Sequence, residues 1–131
     1  LWVGDSRIYL LRNSELSQIT KDHSHAQALV DAGLLNLEDM ETHPHANVVT
    51  RAIGAGDNPI QIDKATGPLL PFDRFLLCSD GLTKAVSERD ILSCLEVGSN
   101  SAKLLVETAL LCHARDNVTA LVVGIEDEEA W

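Results

Sequence analysis

Two short acid-bearing turns are the residues of this chain best suited to chemistry. Ser79-Asp80-Gly81 closes the apolar run Arg74-Phe75-Leu76-Leu77-Cys78, and Arg115-Asp116-Asn117-Val118-Thr119 opens the run Ala120-Leu121-Val122-Val123. Each sets a carboxylate at the end of a predicted strand, where side chains of neighbouring strands can converge on a cation. Magnesium and manganese prefer oxygen ligands in octahedral geometry and keep several waters, so aspartates at strand ends can hold them without histidine or cysteine. Carboxylates sharing a pocket raise each other's pKa unless a cation neutralises them, so metal should stabilise such a region. The pattern points to a hard-metal phosphate site. Asp-Gly and Asp-Asn are also good turn formers, and either one alone reads as an ordinary solvated turn.

The elements around these turns follow from apolar periodicity and turn residues. Leu1-Trp2-Val3 and Arg7 to Arg12 read as strands around Gly4-Asp5-Ser6, and Asn13-Ser14-Glu15 leads into a third strand over Leu16 to Thr20, an antiparallel meander. From Ser24 the pattern turns helical, ending at Gly33, and Asn36 is expected to cap a short second helix over Glu38 to Thr42. A turn region over Gly54 to Pro59 precedes strand candidates at Ile60 to Ala65 and Phe72 to Cys78. Ser87 with Asp90 starts a helix through Val97, and Ser99 is expected to cap a longer one carrying Leu104, Leu105, Thr108, Leu111 and Cys112 on one face. Val118 to Ile125 is the last strand, followed by the acidic Glu126-Asp127-Glu128-Glu129, read as solvated. The order of elements predicts an α+β fold with helices layered on antiparallel sheet.

With 131 residues, of which 45% are apolar, the chain can bury about two-thirds of its unfolded surface as a single domain. No repeat or low-complexity linker marks a boundary. A formal charge of -10, with Lys and Arg scattered singly, argues against nucleic acid and anionic membrane surfaces as partners. Cys78, Cys94 and Cys112 form an odd set in apolar stretches without C-x-x-C spacing, the usage of buried cytosolic thiols, and are read as core residues. No apolar run approaches the roughly 18 to 20 residues needed to span a bilayer, and no leader-like segment opens the sequence, so the expectation is a soluble, cytoplasmic protein. His23, His25, His43 and His45 invite a zinc reading, but their i, i+2 spacing points alternate ways on a strand and no cysteine lies near. His23 is expected to fix a turn instead. Trp2 and Tyr9 are read as packing residues, and Arg51 as either a phosphate contact or a surface ion pair.

In chain order, Val3-Gly4-Asp5-Ser6-Arg7, Thr20-Lys21-Asp22-His23-Ser24, His43-Pro44 with Asn47 and Thr50-Arg51-Ala52-Ile53-Gly54, Ser79-Asp80-Gly81-Leu82-Thr83 and Arg115-Asp116-Asn117-Val118-Thr119 form one series. The series resembles the metal-dependent protein serine/threonine phosphatases of type 2C, especially their bacterial members, over the C-terminal part of the catalytic domain. The resemblance implies part of an α-β-β-α sandwich whose two antiparallel sheets carry a binuclear Mg²⁺ or Mn²⁺ centre. Its chemistry is hydrolysis of phosphoserine or phosphothreonine by metal-activated water, with no catalytic side chain forming a phosphoenzyme. By matching motifs, Asp80 and Asp116 correspond to ligands of the metal pair and Asp5 to a ligand of a third, weaker metal. Gly81 keeps the turn tight, Asn117 and Thr119 support the site, and residues 24–54 correspond to a mobile flap. The implied partners are phosphorylated proteins and a Ser/Thr kinase, whose action the bacterial relatives commonly reverse.

Two departures qualify the resemblance. The family's upstream part, with its bridging Asp-Gly and phosphate-gripping arginine, precedes the position matching Leu1, so 1–131 reads as a partial domain with N-terminal strands missing. Alone it is expected to be inactive and prone to self-association through uncovered sheet edges. Lys84 stands where the family usually has a further acid, and its charge opposes a third metal beside Asp80. A response-regulator receiver domain also binds magnesium at a strand-end aspartate, but it needs alternating strands and helices where this chain opens on a meander. The other alternative is a non-catalytic phosphatase-like module that binds phosphoproteins or regulates a kinase.

Overall fold

The computed structural model describes residues 1–56 and 59–127. The turn expected over Gly54 to Pro59 and the acidic tail fall partly outside these described residues. In chain order the elements are β1 (Arg7–Arg12), β2 (Glu15–Gln18), α1 (His25–Asp31), a 3-10 turn (Leu37–Asp39), β3 (Arg74–Cys78), α2 (Asp80–Thr83), α3 (Glu88–Glu96), α4 (Ser101–Leu111) and β4 (Ala120–Gly124). They divide into two compact units, one of Leu1–Ser6 and Lys21–Ala65, the other of Arg7–Thr20 and Thr66–Trp131.

The second unit holds the sheet, in the order β2-β1-β3-β4 with every neighbouring pair antiparallel. This is the α+β architecture expected from the sequence. Asn13 and Ser14 both take positive φ, 52° and 61°, the mirror-image turn whose twist suits a two-residue hairpin between β1 and β2. Because strand side chains alternate, Tyr9, Leu11, Leu76, Cys78, Ala120 and Val122 share one face, and this face packs on Leu82, Ile91, Leu95 and Leu105 of the helices. Tyr9, Leu76, Leu82, Ile91, Leu95 and Leu105 are all fully buried, and each stabilises the unit by roughly 1.5–3 kcal/mol before entropy is charged. The alternate residues of β4, Leu121 and Val123, are exposed.

Local signals explain the helices. Ser87 Oγ accepts the Asp90 N–H at 3.2 Å, and Ile91, Cys94 and Leu95, at i, i+3 and i+4, give α3 its buried stripe. Polar groups inside this unit are paired. Arg12 donates from Nε and Nη2 to the two oxygens of buried Asp73 at 2.8 and 2.6 Å, and the Leu70 N–H adds a third bond at 2.9 Å. The Arg12 guanidinium holds the Asp73 carboxyl down to about 2. Burial pushes the Tyr9 phenol up to about 12, against the lowering pull of Arg7, whose guanidinium donates to its oxygen at 2.9 Å.

The first unit has a thinner apolar core, with Ala26 and Met40 its buried hydrophobic residues among those described. Ser24 Oγ caps α1 by accepting the Gln27 N–H at 3.1 Å. Gly33, at φ 74°, ends it, with Leu34 N–H bonded back to the Leu29 carbonyl at 2.9 Å. The helix expected between Ser24 and Gly33 is therefore present.

Several expected elements differ. Leu1-Trp2-Val3 and Ile60 to Ala65 are not strands; they meet only at a Trp2↔Asp63 bridge, because Gly4, at φ 104°, turns the chain directly afterwards. The second helix shrinks to the 3-10 turn, and Asn36 makes no side-chain capping bond. The residue preceding α4 is Asn100, not Ser99. Cys112 is exposed and Leu111 is 81% exposed, because α4 buries the narrow line Ser101, Leu105 and Ala109. Cys78 and Cys94 are buried as expected.

Candidate metal centre

The two acid-bearing turns meet inside the second unit, and the contact is made by backbone. β3 and β4 pair from Arg74↔Gly124 to Cys78↔Ala120, which sets the end of β3 beside the start of β4. The Ser79 N–H continues the ladder to the Thr119 carbonyl at 3.1 Å. Ser79 Oγ then staples the turns: it accepts the Thr119 N–H at 3.0 Å and donates to the Asn117 carbonyl at 3.2 Å. Gly81 lies so close that a Cβ built there would stand 2.1 Å from the Asn117 oxygen and 2.9 Å from its carbonyl carbon. Glycine is required here by proximity to a second turn, a stronger demand than the tight turn that the sequence suggested.

Asp80 is the first residue of α2, a single turn of helix, and is half-buried; Asp116 is exposed. Asp116 Oδ1 accepts the N–H of its own neighbour Asn117 at 2.7 Å, which sets the carboxylate against its turn. Lys84 Nζ donates to Asp80 Oδ2 at 2.7 Å. The contacts of Asn117 and Thr119 across the turns come from their main chains. Ser79 is the residue that sequence reasoning passed over. Its hydroxyl beside Asp80 was visible, but its two partners lie about 40 positions on.

The other site candidates belong to the first unit. Asp5 follows Gly4 in the turn that His23 fixes, where His23 Nδ1 accepts the Gly4 N–H at 3.0 Å. His23 Nε2 bonds Asp63 Oδ2 at 2.7 Å. Arg51 donates to Asp63 Oδ1 at 3.1 Å and to the Gln61 carbonyl at 3.4 Å, so of its two expected roles the structure displays the ion pair. His23, and then Arg51, hold the Asp63 carboxyl below the usual carboxylate range. Trp2 stacks on the His23 ring and donates its indole N–H to the Lys21 carbonyl at 2.9 Å.

His43 and His45 do not diverge as the strand spacing suggested, because they lie in turns and not on a strand. His25 opens α1, and its ring centroid lies 4.9 Å from that of His45, which lies 5.5 Å from that of His43. Among the described residues, however, no group of three His, Cys, Asp or Glu side chains is disposed to hold a metal ion.

The donor set in the second unit fits a hard divalent cation in part. Asp80 and Asp116 supply only oxygen, and the turns that bear them are joined by the Ser79 and Gly81 contacts. Water or further carboxylates would have to supply the rest of an octahedral shell.

No family model matches the chain. Individual proteins do. The chain is 40% identical over 127 residues to the serine/threonine protein phosphatase PstP of Mycobacterium tuberculosis, covering 95% of this chain and 24% of that protein. It is also 40% identical over 131 residues to the protein phosphatase PhpP of Streptococcus pneumoniae, covering 98% of this chain and 53% of that one. A crystal structure of the M. tuberculosis PstP superposes with a TM-score of 0.84 at 40% identity, over 95% of this chain and 53% of that chain. The chain is a homologue of the bacterial type 2C phosphatases. It spans about half the length of PhpP and of the crystallised PstP, and a quarter of whole PstP. A further PstP structure, with a TM-score of 0.78 at 38% identity over 95% of this chain and 52% of that one, is a complex with 2 manganese ions. Manganese is thus the metal found in a relative of this fold, and the oxygen-only pair Asp80 and Asp116 suits it. No helix among the described residues is long and apolar enough to cross a membrane.

Proposed function

We infer that this chain is the part of a metal-dependent protein serine/threonine phosphatase that supplies Asp80 and Asp116 to a Mg²⁺ or Mn²⁺ centre. The observation that carries the reading is the joining of two aspartate turns, far apart in sequence, by the Ser79 staple and the Gly81 approach. The relatives are named as protein phosphatases, PstP as a serine/threonine protein phosphatase, which supports this reaction class. When bound, the metals would supply a water of lowered pKa and neutralise charge on the phosphoryl oxygens.

The residues of this chain do the positioning. Asp80 and Asp116 present carboxylates from a rigid corner of the sheet, and Ser79 with Gly81 fixes how far apart their backbones lie. Asp5 keeps its assignment to a third metal by motif, and residues 24–54 theirs as the flap. The substrates are proposed to be cytoplasmic proteins phosphorylated by a bacterial Ser/Thr kinase. This piece alone is proposed to be inactive, since the two acids assigned here leave a hard divalent cation short of oxygen ligands. The exposed Leu121 and Val123 beside the β4 edge, which pairs with β3 alone among the described residues, support self-association of the isolated piece.

The test uses the complete protein encoded by the gene. It should release phosphate from a phosphothreonine peptide with manganese, and Asp80→Asn or Asp116→Asn should each lower kcat/KM by more than about 100-fold with the circular dichroism unchanged. Wild-type turnover in either variant refutes the ligand assignment. Phosphopeptide binding without turnover by a folded, manganese-loaded protein selects the non-catalytic module.

A further inference from the structure

Lys84 already holds one oxygen of the aspartate that a metal would need. Its Nζ lies 2.7 Å from Asp80 Oδ2, and its own N–H bonds the Asp80 carbonyl at 3.0 Å, so the α2 turn sets the pair at i, i+4 before the side chains meet. A cationic partner at hydrogen-bond distance leaves Asp80 one unshared oxygen and places a positive charge a few ångströms from where a divalent ion must sit. The pair is reachable from solvent: the Lys84 side chain is 39% exposed and that of Asp80 25%. Such a bridge contributes little to folding, because both groups are partly hydrated. Its consequence lies in competition for the carboxylate.

We propose that Lys84 is a built-in counter-ion that competes with the divalent cation for Asp80, and so sets the metal concentration at which this site fills. The proposal rests on the reading of Asp80 as a metal ligand. The bridge must open, or share Asp80, for the carboxylate to coordinate fully. Binding is then weakened both by the lost ion pair and by repulsion between Lys84 and the ion. Neutralising Lys84 removes both penalties, and arginine restores them. Salt screens both penalties as well, so the difference should fade as ionic strength rises.

The experiment is calorimetric titration of Mn²⁺ into the complete, metal-stripped protein, with the bound ion followed in parallel by electron paramagnetic resonance. Lys84→Gln should bind Mn²⁺ roughly five- to ten-fold more tightly than wild type at low ionic strength. Lys84→Arg should stay near wild type, and the advantage of Lys84→Gln should shrink at about 0.5 M salt. Equal affinity in wild type and Lys84→Gln, with binding still lost in Asp80→Asn, overturns the role of Lys84 and leaves the metal reading standing. Weaker binding in Lys84→Gln also overturns it, since Lys84 would then support the ion. Binding indifferent to Asp80→Asn in every background overturns the ligand assignment itself.

Discussion

The two units of this chain are held together by different forces. The sheet unit buries Tyr9, Leu76, Leu82, Ile91, Leu95 and Leu105 completely, and its aspartate-bearing turns are joined by main-chain bonds and a serine hydroxyl. The first unit relies on a polar web, in which His23 links the Gly4 amide to Asp63 and Asp63 links on to Arg51. The difference teaches where precision is kept. Asp80 and Asp116 are mounted on the apolar framework, whereas the first unit depends on hydrogen bonds that water can replace. Segments with few buried apolar contacts sit at the low end of local stability, so the first unit should open before the sheet does.

The largest effect should come from breaking the framework. Leu95→Ala removes a fully buried side chain from the centre of α3 and should cost about 2–5 kcal/mol, read as a fall in the urea midpoint. His23→Ala should cost less, about 1–3 kcal/mol, by leaving the Gly4 amide unpaired. Hydrogen exchange should show that loss at Gly4, Thr50 and Asp63, with the β1, β3 and β4 amides keeping their protection. If His23→Ala exposes the sheet as much as Leu95→Ala does, the contrast between the units is wrong.

Gly81→Ala sharpens the comparison at the site. Its methyl would collide with backbone at Asn117, which cannot rotate away, so the two turns should be forced apart at a cost of roughly 1–3 kcal/mol. Manganese affinity should fall together with stability. A variant that retains both would show that the turns tolerate separation.

The smallest effect concerns acid. The folded-state pKa of Asp73 is depressed to about 2, so its ion pair contributes stability that is fully present above the ordinary carboxylate range and lost as pH falls through it towards 2. Asp73→Asn should flatten the stability profile of the sheet unit across that window. An unchanged slope would assign the acid sensitivity to another group.

Much of the framework was legible because its signals are local. Short apolar runs bounded by turn residues marked β1, β3 and β4, Ser87 marked the start of α3, and Ser24 with Gly33 bounded α1. The failures came where one residue had two plausible faces or a distant partner. α4 is apolar on nearly every side, so periodicity could not tell the buried line Ser101, Leu105 and Ala109 from the exposed Leu110, Leu111 and Cys112. Trp2 and Asp63 read as parts of strands, but they share a single bridge. Asp80 and Asp116 were visible as candidate ligands from their positions at strand ends. The joining of their turns was not visible, because the Ser79 staple and the Gly81 approach exist only once β3 and β4 have paired. The Lys84 bridge was half visible as a cation near Asp80, and the α2 turn turned that proximity into a direct bond.

The central claim is that Asp80 and Asp116 bind the same metal centre, and anomalous scattering from manganese-soaked crystals of the complete protein tests it most directly. The account predicts manganese peaks within about 2.2 Å of oxygens from both carboxylates, with Lys84 Nζ displaced from Asp80 Oδ2. A fully occupied manganese that touches neither aspartate, or only one of them, would contradict it.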